Sequence, residues 1–210
     1  MYPIPKRPLL PRSLPVLWFL SIAIALGSLR FLIADIALVM PAMVHHALER
    51  PWLLYAHIFF APFALAIMPF QFGKTLRMRR PGLHRWLGRA YGVGVLISGT
   101  AGVFLGLQTI QGPVAASGLV TLAVAWLSTT AFAVYLAITR DIPAHRRWMI
   151  RSGALTVSAV TLRLYMIVGA LTVGEESSYP LICWLCWVPN LMFAEWLIRR
   201  DTRRAATPIA

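Results

Sequence analysis

Long apolar runs alternate with short polar connections along almost the whole chain of 210 residues. An α-helix needs about 20 apolar residues to cross a hydrocarbon core about 30 Å thick, and six runs are long enough. None of the connections could fold as a soluble domain. The pattern therefore predicts an all-α integral membrane bundle in which residues 1–210 form one transmembrane domain. The predicted spans lie near residues 14–33, 52–72, 90–110, 115–138, 150–174 and 181–198.

The distribution of charge supports this prediction and adds an orientation. The chain is 59% hydrophobic and only 13% charged, with a formal net charge of +13. A basic balance can indicate nucleic-acid binding, but only when a soluble fold carries the basic face. Here the basic residues lie between the spans, so we expect membrane lipids and no nucleic acid as partners. The amino terminus, the second and fourth connections and the carboxy terminus hold 17 of the 20 Lys and Arg residues. The positive-inside rule therefore predicts an inner-membrane protein with both termini in the cytoplasm.

Two similar phrases precede the third and fifth spans. HRWLGR occupies residues 84–89, and HRRWMIRS occupies residues 145–152. This short sequence repeat suggests two repeated helical hairpins, with spans two to five forming a four-helix core. Span three is also rich in glycines at four-residue spacing, which allows close helix packing in lipid. If span five packs beside span three, His84 and His145 face each other near the cytoplasmic surface.

The same regions carry a resemblance to a known family. HIFFAPFALAIMPFQF (57–72), LHRWLGRAYG (83–92) and AHRRWMIRSGALTVSAVTLRL (144–164) occur in the expected order. Together they resemble the bacterial membrane proteins of domain-of-unknown-function family 2306 (DUF2306). The resemblance covers about residues 50–170, leaving span one and the CWLCWVPN segment of span six outside. It implies a multi-span inner-membrane fold but no established reaction, so whether the chain is an enzyme stays open.

Three histidines in this region, His57, His84 and His145, are candidate haem ligands. Histidine is the usual axial ligand of haem b in helical bundles. The arrangement is also similar, more weakly, to four-helix membrane cytochromes of the b561 type. That similarity implies haem iron between His84 and His145. Arg147, or one of the neighbouring arginines, would hold the propionates through charge-assisted hydrogen bonds.

A second interpretation needs no cofactor. Membrane interfaces favour aromatic rings such as Trp86 and Trp148, and arginines there extend toward lipid phosphates. His84 and His145 would then anchor two helices or contact lipid headgroups. A second haem is disfavoured because span four carries no histidine to match His57 on the outer side. His45 or His46 could replace that partner only if the first outer loop folds back.

Arg163 lies near the middle of span five, where a guanidinium costs about 2.5–3.5 kcal/mol on insertion scales. It should therefore face the bundle interior and have a partner. Glu195 is too far along the bundle axis. Candidates at a better depth are His57, carbonyl groups of span two, or a bound propionate, quinone oxygen or lipid headgroup; a purely structural role is equally compatible.

Cys183 and Cys186 form a CxxC pair with no further cysteine to complete a metal site. This pattern favours apolar packing, and a disulfide between them is left open.

These observations leave three hypotheses for the function. The chain could carry haem b and transfer electrons from a quinol, or it could be a cofactor-free transporter or lipid-binding protein. It could also be a subunit or assembly partner of a larger membrane complex. No hydrolase, kinase or zinc-protease motif occurs in the sequence.

Overall fold

The computed structural model describes residues 14–206, and every regular element within them is helical. Six helical segments are long and apolar enough to cross a membrane, which confirms the predicted number of spans. The helices are α1 (Leu14–Ser28), α2 (Ile36–Val39), α3 (Val44–Glu49), α4 (Pro51–Gln71), α5 (Lys74–Arg79), α6 (Pro81–Leu107), α7 (Gly112–Ile138), α8 (Ile142–Thr156), α9 (Ser158–Thr172), α10 (Glu175–Leu185) and α11 (Val188–Ala206). The spans are α1, α4, α6, α7, α8 with α9, and α10 with α11. The basic residues of the amino-terminal lead lie outside the described residues.

The third and fifth spans begin earlier than the hydrophobic pattern predicts. Pro81 occupies the first turn of α6, where a missing N–H and a fixed φ cost nothing. The side chain of Asp141 caps α8 by accepting a hydrogen bond from the Ala144 N–H at 3.0 Å. Both helices therefore extend through their Arg-rich turns. As a result, His84 and His145 lie in the first turns of α6 and α8 rather than before the spans.

Four helices from spans two to five form the centre of the bundle. Packing runs in sequence from α4 to α6, from α6 to α7 and from α7 to α8, and a smaller contact between α4 and α8 closes the ring. Leu65, Tyr91, Trp126 and Leu155, one from each helix, are buried together in the main core. The other spans pack around this ring: α1 against α4, α10 against α7, and α11 against α8. Consequently α6 and α8 lie at opposite corners of the ring of four helices.

Buried hydroxyl groups link three of the core helices. The Tyr91 hydroxyl lies 2.6 Å from Ser152 Oγ and 2.7 Å from Thr156 Oγ1. Trp126 Nε1 donates to Thr156 Oγ1 at 2.9 Å, and Thr130 Oγ1 lies 2.7 Å from Ser152 Oγ. In lipid no hydrophobic effect drives helices together, so interhelical hydrogen bonds of this kind contribute to their association. They fix α6, α7 and α8 to one another near the middle of the bundle.

Spans five and six are both interrupted near mid-membrane. Span five is interrupted at Val157, between α8 and α9, and span six between α10 and α11. Pro189, the second residue of α11, has no N–H to donate to a carbonyl of α10, so α10 cannot continue through it as a regular helix. Asn190 Nδ2 donates to the Cys186 carbonyl at 3.0 Å and to Thr161 Oγ1 at 3.1 Å, and Thr161 Oγ1 itself donates to that carbonyl. Polar groups freed by the interruption are thus satisfied inside the protein, as a membrane requires.

Residues 29–50, here called the cap segment, fold back over one end of the bundle. They contain the 3-10 helices Leu29–Leu32 and Pro41–Met43 as well as α2 and α3. Apolar side chains of the segment pack on α4 and α6, and His45 Nε2 lies 3.2 Å from the Gln108 carbonyl oxygen. The first loop therefore does fold back, which was the condition for His45 or His46 to lie on the same side of the bundle as His57. We call this the cap end of the bundle and the opposite, arginine-rich end the basic end.

Candidate functional site

A cavity of about 270 Å³ lies inside the cap half of the bundle. Its walls come from α4, α6 and α7, from the interrupted spans five and six, and from the cap segment. Most of the lining is aliphatic or aromatic, and among the described residues no Asp or Glu faces it. Its polar lining groups include Ser28, His46, His57, Thr156, Arg163 and Cys186. We call this space the central cavity.

His57 is held in one orientation on the cavity wall. Its Nδ1 lies 2.9 Å from the carbonyl oxygen of Ser98 on α6, so this nitrogen carries the proton and donates. The other ring nitrogen, Nε2, is then the acceptor. Room for the ring comes from Gly102, where an added Cβ would lie 3.4 Å from His57 Cε1. One of the glycines of span three thus makes space for a side chain as well as for a helix.

Arg163 reaches the same cavity from α9. Its Nη1 donates to the Ala159 carbonyl and its Nη2 to Ser28 Oγ, each at 2.8 Å. It is also close enough to His57 for the two side chains to interact electrostatically. The sequence candidates for its partner did not include Ser28, because a serine in an apolar run gives no local signal.

Among the described residues, no carboxylate forms an ion pair with Arg163. Within the part of the chain that the structure describes, the only ion pairs are Arg50 with Glu49 and Arg151 with Glu195. The second pair joins α8 to α11 with Arg151 Nε 2.5 Å from Glu195 Oε1, which agrees with the exclusion of Glu195 as a partner for Arg163. The structure gives protein acceptors for two of the five N–H donors of Arg163, and the residue lines the cavity.

His84 and His145 lie at the basic end and do not line the central cavity. Their side chains are close enough to interact electrostatically, although α6 and α8 are diagonal rather than adjacent. His145 Nδ1 lies 2.7 Å from the Ala133 carbonyl oxygen of α7. His84 Nδ1 is buried and has no hydrogen-bond partner. Arg147, the predicted propionate partner, is exposed.

His46 is the most enclosed histidine of the cavity. Its side chain is 1% exposed, and neither Nδ1 nor Nε2 has a hydrogen-bond partner. The ring lies 3.8 Å from that of His45, measured between centroids. Burial, followed by the electrostatic effects of His45 and Arg50, lowers the pKa of His46 below its usual value, and Glu49 opposes this shift. His46 is therefore a neutral imidazole at neutral pH.

The comparison with protein families covers most of this site. A family model described as predicted membrane protein (DUF2306) matches residues 54–198. The chain belongs to the DUF2306 family. The match confirms the resemblance and extends it, because span six falls inside the family region although the motifs placed it outside. His57, His84, His145 and Arg163 all lie within the matched residues, whereas the cap segment precedes them. No curated protein and no solved structure matches the chain.

The two cysteines of span six are buried free thiols. Cys186 lines the central cavity, and Cys183 packs against α7 close to Gly118. Within residues 14–206, no group of three or more His, Cys, Asp or Glu side chains is arranged to hold a metal ion.

Proposed function

We propose that this DUF2306 protein binds a lipid-soluble molecule with an oxygen-bearing head, of the quinone class, in the central cavity. The observation that carries the proposal is that Arg163 and His57 line one apolar cavity with no acidic group beside them. A buried guanidinium without a carboxylate calls for an acceptor oxygen, since an unpaired charge in a membrane interior is costly. The cavity supplies an apolar environment for the rest of such a ligand.

The two side chains complement the two redox forms of a quinone head. Spare N–H groups of Arg163 donate to a carbonyl oxygen, which accepts hydrogen bonds but donates none. His57 Nε2 accepts from a hydroxyl group, because its Nδ1 proton is already donated to the Ser98 carbonyl. The interruption of span five also supports a binding site at α9. Membrane proteins tolerate irregular helices where these border a cavity, and such helices often form their binding sites. We therefore assign ligand binding to Arg163 and His57.

Solvent extraction of the purified protein tests this proposal. Protein reconstituted in nanodiscs of defined phospholipid is extracted, and the extract is analysed by mass spectrometry. We expect a quinone in stoichiometric amount, well above its level in empty nanodiscs of the same phospholipid. A free fatty acid in its place would identify a carboxylate ligand for Arg163 and reject the quinone. An extract matching that of the empty nanodiscs would reject ligand binding altogether.

Haem b between His84 and His145 is a second candidate, which one feature of the basic end favours. A histidine that ligates a metal usually donates its other ring N–H to a carbonyl or carboxylate. The contact of His145 Nδ1 with the Ala133 carbonyl follows this pattern and leaves Nε2 as a potential ligand. The unpartnered His84 Nδ1 would serve as the second ligand. Such a haem would supply one-electron chemistry at the basic end, in the same bundle as the proposed quinone site.

Absorption spectra of oxidised and dithionite-reduced protein test the haem candidate. If it is correct, material expressed with adequate haem supply has a Soret band, which His84→Ala or His145→Ala abolishes. His45→Ala, which changes a histidine at the cap end, should leave the band intact. Protein without a Soret band under these conditions would exclude haem.

We further propose that the basic end faces the cytoplasm and that the membrane is the cell inner membrane. The uneven distribution of Lys and Arg supports this orientation. Green fluorescent protein fused after the last residue should then fluoresce, whereas alkaline phosphatase at the same position should be inactive. The reverse result would invert the topology.

A further inference from the structure

We propose that the cap segment binds a monovalent copper ion, Cu(I), through the thioethers of Met40 and Met43 and the imidazole of His46. This site lies at the cap end of the central cavity, and its argument is independent of the quinone proposal. None of its three ligands falls within the residues that the family model matches.

The three proposed ligands are spaced three residues apart along the cap segment and border the same cavity. Met40 precedes the 3-10 helix Pro41–Met43 and Met43 is its last residue, and both side chains pack against the same apolar cluster formed with α4 and α6. His46 follows after a further three residues, in the first turns of α3. All three residues line the central cavity. The cap segment thus contributes two thioethers and an imidazole to the lining of one cavity.

Neither ring nitrogen of the buried His46 has a hydrogen-bond partner within the described protein. A buried polar group without a hydrogen-bond partner destabilises the folded state. His46 is 1% exposed and carries two such ring nitrogens, and His45 Nδ1 beside it is a third. Buried unsatisfied atoms in one place call for a bound ion or water. The side chains packed around the cap segment are mostly methionines and aliphatic residues, which offer a water molecule few hydrogen bonds. A metal ion bound by sulfur and nitrogen would satisfy the imidazole better than water.

The chemistry of the donors selects the metal. Thioethers are soft ligands that favour Cu(I), while imidazole is a common ligand for copper. Mg²⁺ and Ca²⁺ prefer carboxylate and carbonyl oxygens, and no acidic side chain lines the cavity among the described residues. Positive charge at Arg163, on the same cavity, also opposes a divalent cation more than a monovalent one. Neutral donors in an electropositive site therefore fit a single positive charge.

Competition for Cu(I) tests the site on the full-length protein in detergent, under ascorbate and without oxygen. The wild-type protein should withdraw one equivalent of Cu(I) from bicinchoninate. Met40→Leu/Met43→Leu should weaken binding by more than about 10–100-fold, the loss typical of changes in the outer shell of a metal site. Leucine conserves the volume of methionine, so this double variant should still fold. Met78→Leu is the matched control, because Met78 is 68% exposed and lies on α5.

Two further measurements complete the test. X-ray absorption of the wild-type complex should detect sulfur and nitrogen ligands, whether or not the variants fold. His46→Gln should lower the affinity while leaving the sulfur signal. Binding no tighter in wild type than in Met40→Leu/Met43→Leu would overturn the proposal. So would displacement of Cu(I) by equimolar Zn²⁺, or loss of binding only in Cys186→Ser.

Discussion

Arg163→Leu should weaken quinone binding about 10- to 100-fold while making the ligand-free protein more stable. Affinity falls because the variant lacks the hydrogen bonds that the charged Arg163 donates to the quinone, which contribute about 1.5–3 kcal/mol each. The gain follows because a guanidinium near the middle of a span costs about 2.5–3.5 kcal/mol on insertion scales, and leucine removes that cost. Opposite changes in affinity and stability are the signature of a residue retained for function.

Both quantities can be measured on one preparation in nanodiscs. Quenching of tryptophan fluorescence by an added short-chain quinone gives the affinity, since Trp126 lines the cavity. The midpoint of thermal unfolding without ligand gives the stability. Arg89→Leu is the matched control, because Arg89 is exposed near the basic end of α6. Arg163→Lys keeps the charge but loses the planar fork, and we expect an intermediate affinity.

One combination of results would show that Arg163 is structural. If Arg163→Leu binds quinone like the wild type and unfolds at a lower temperature, then its hydrogen bonds to Ala159 and Ser28 are its main contribution. That outcome would reject Arg163 as a ligand-binding residue. It would leave the copper proposal untouched, because Met40 and Met43 do not depend on it.

Gly118→Ala should destabilise the bundle by about 1–3 kcal/mol, the usual cost of overpacking. An added Cβ at Gly118 on α7 would lie 3.0 Å from the carbonyl carbon and oxygen of Cys183 on α10. These are backbone atoms, which cannot move aside as the end of a flexible side chain can. The substitution must therefore push α10 away from α7, and a lower thermal unfolding midpoint in nanodiscs should report it.

Gly92→Ala provides the control for this prediction. An added Cβ there would meet only Val134 Cγ2, at an ordinary contact distance of 3.8 Å. Alanine also favours helix over glycine by about 1 kcal/mol, so this variant should be neutral or more stable. If both substitutions change the unfolding midpoint equally, α10 can move away from α7 at no cost and the prediction is wrong.

Much of the site could be anticipated because its chemistry is unusual in lipid. Arg163 is conspicuous in an apolar run, and His57 is one of only five histidines in the chain. Their partners could not be anticipated. Ser28 is 135 positions away from Arg163, and the sequence contains no signal that α1 ends beside α9. Met40 and Met43 look like ordinary apolar residues until the cap segment brings them to the cavity.

The basic end illustrates the same limit. The repeated motif drew attention to His84 and His145, which the structure places in the first turns of α6 and α8 at the basic end. The sequence prediction depended on neighbouring third and fifth spans, whereas the structure places α6 and α8 diagonally, with Tyr91 bridging them through Ser152. Helix neighbours in a bundle are chosen by the fit of many side chains, which periodicity alone does not encode.

The sequence by itself determined the six spans, the all-helical class and the family. A membrane interior enforces these properties residue by residue, since only helices satisfy the backbone within one segment and each needs a minimum apolar length. The tertiary structure decided the central cavity. Folding the cap segment back over α4 and α6 enclosed His46, and interrupting spans five and six brought Arg163 and Cys186 to the same space. Those arrangements depend on contacts between distant segments, where packing rather than local composition sets the energy.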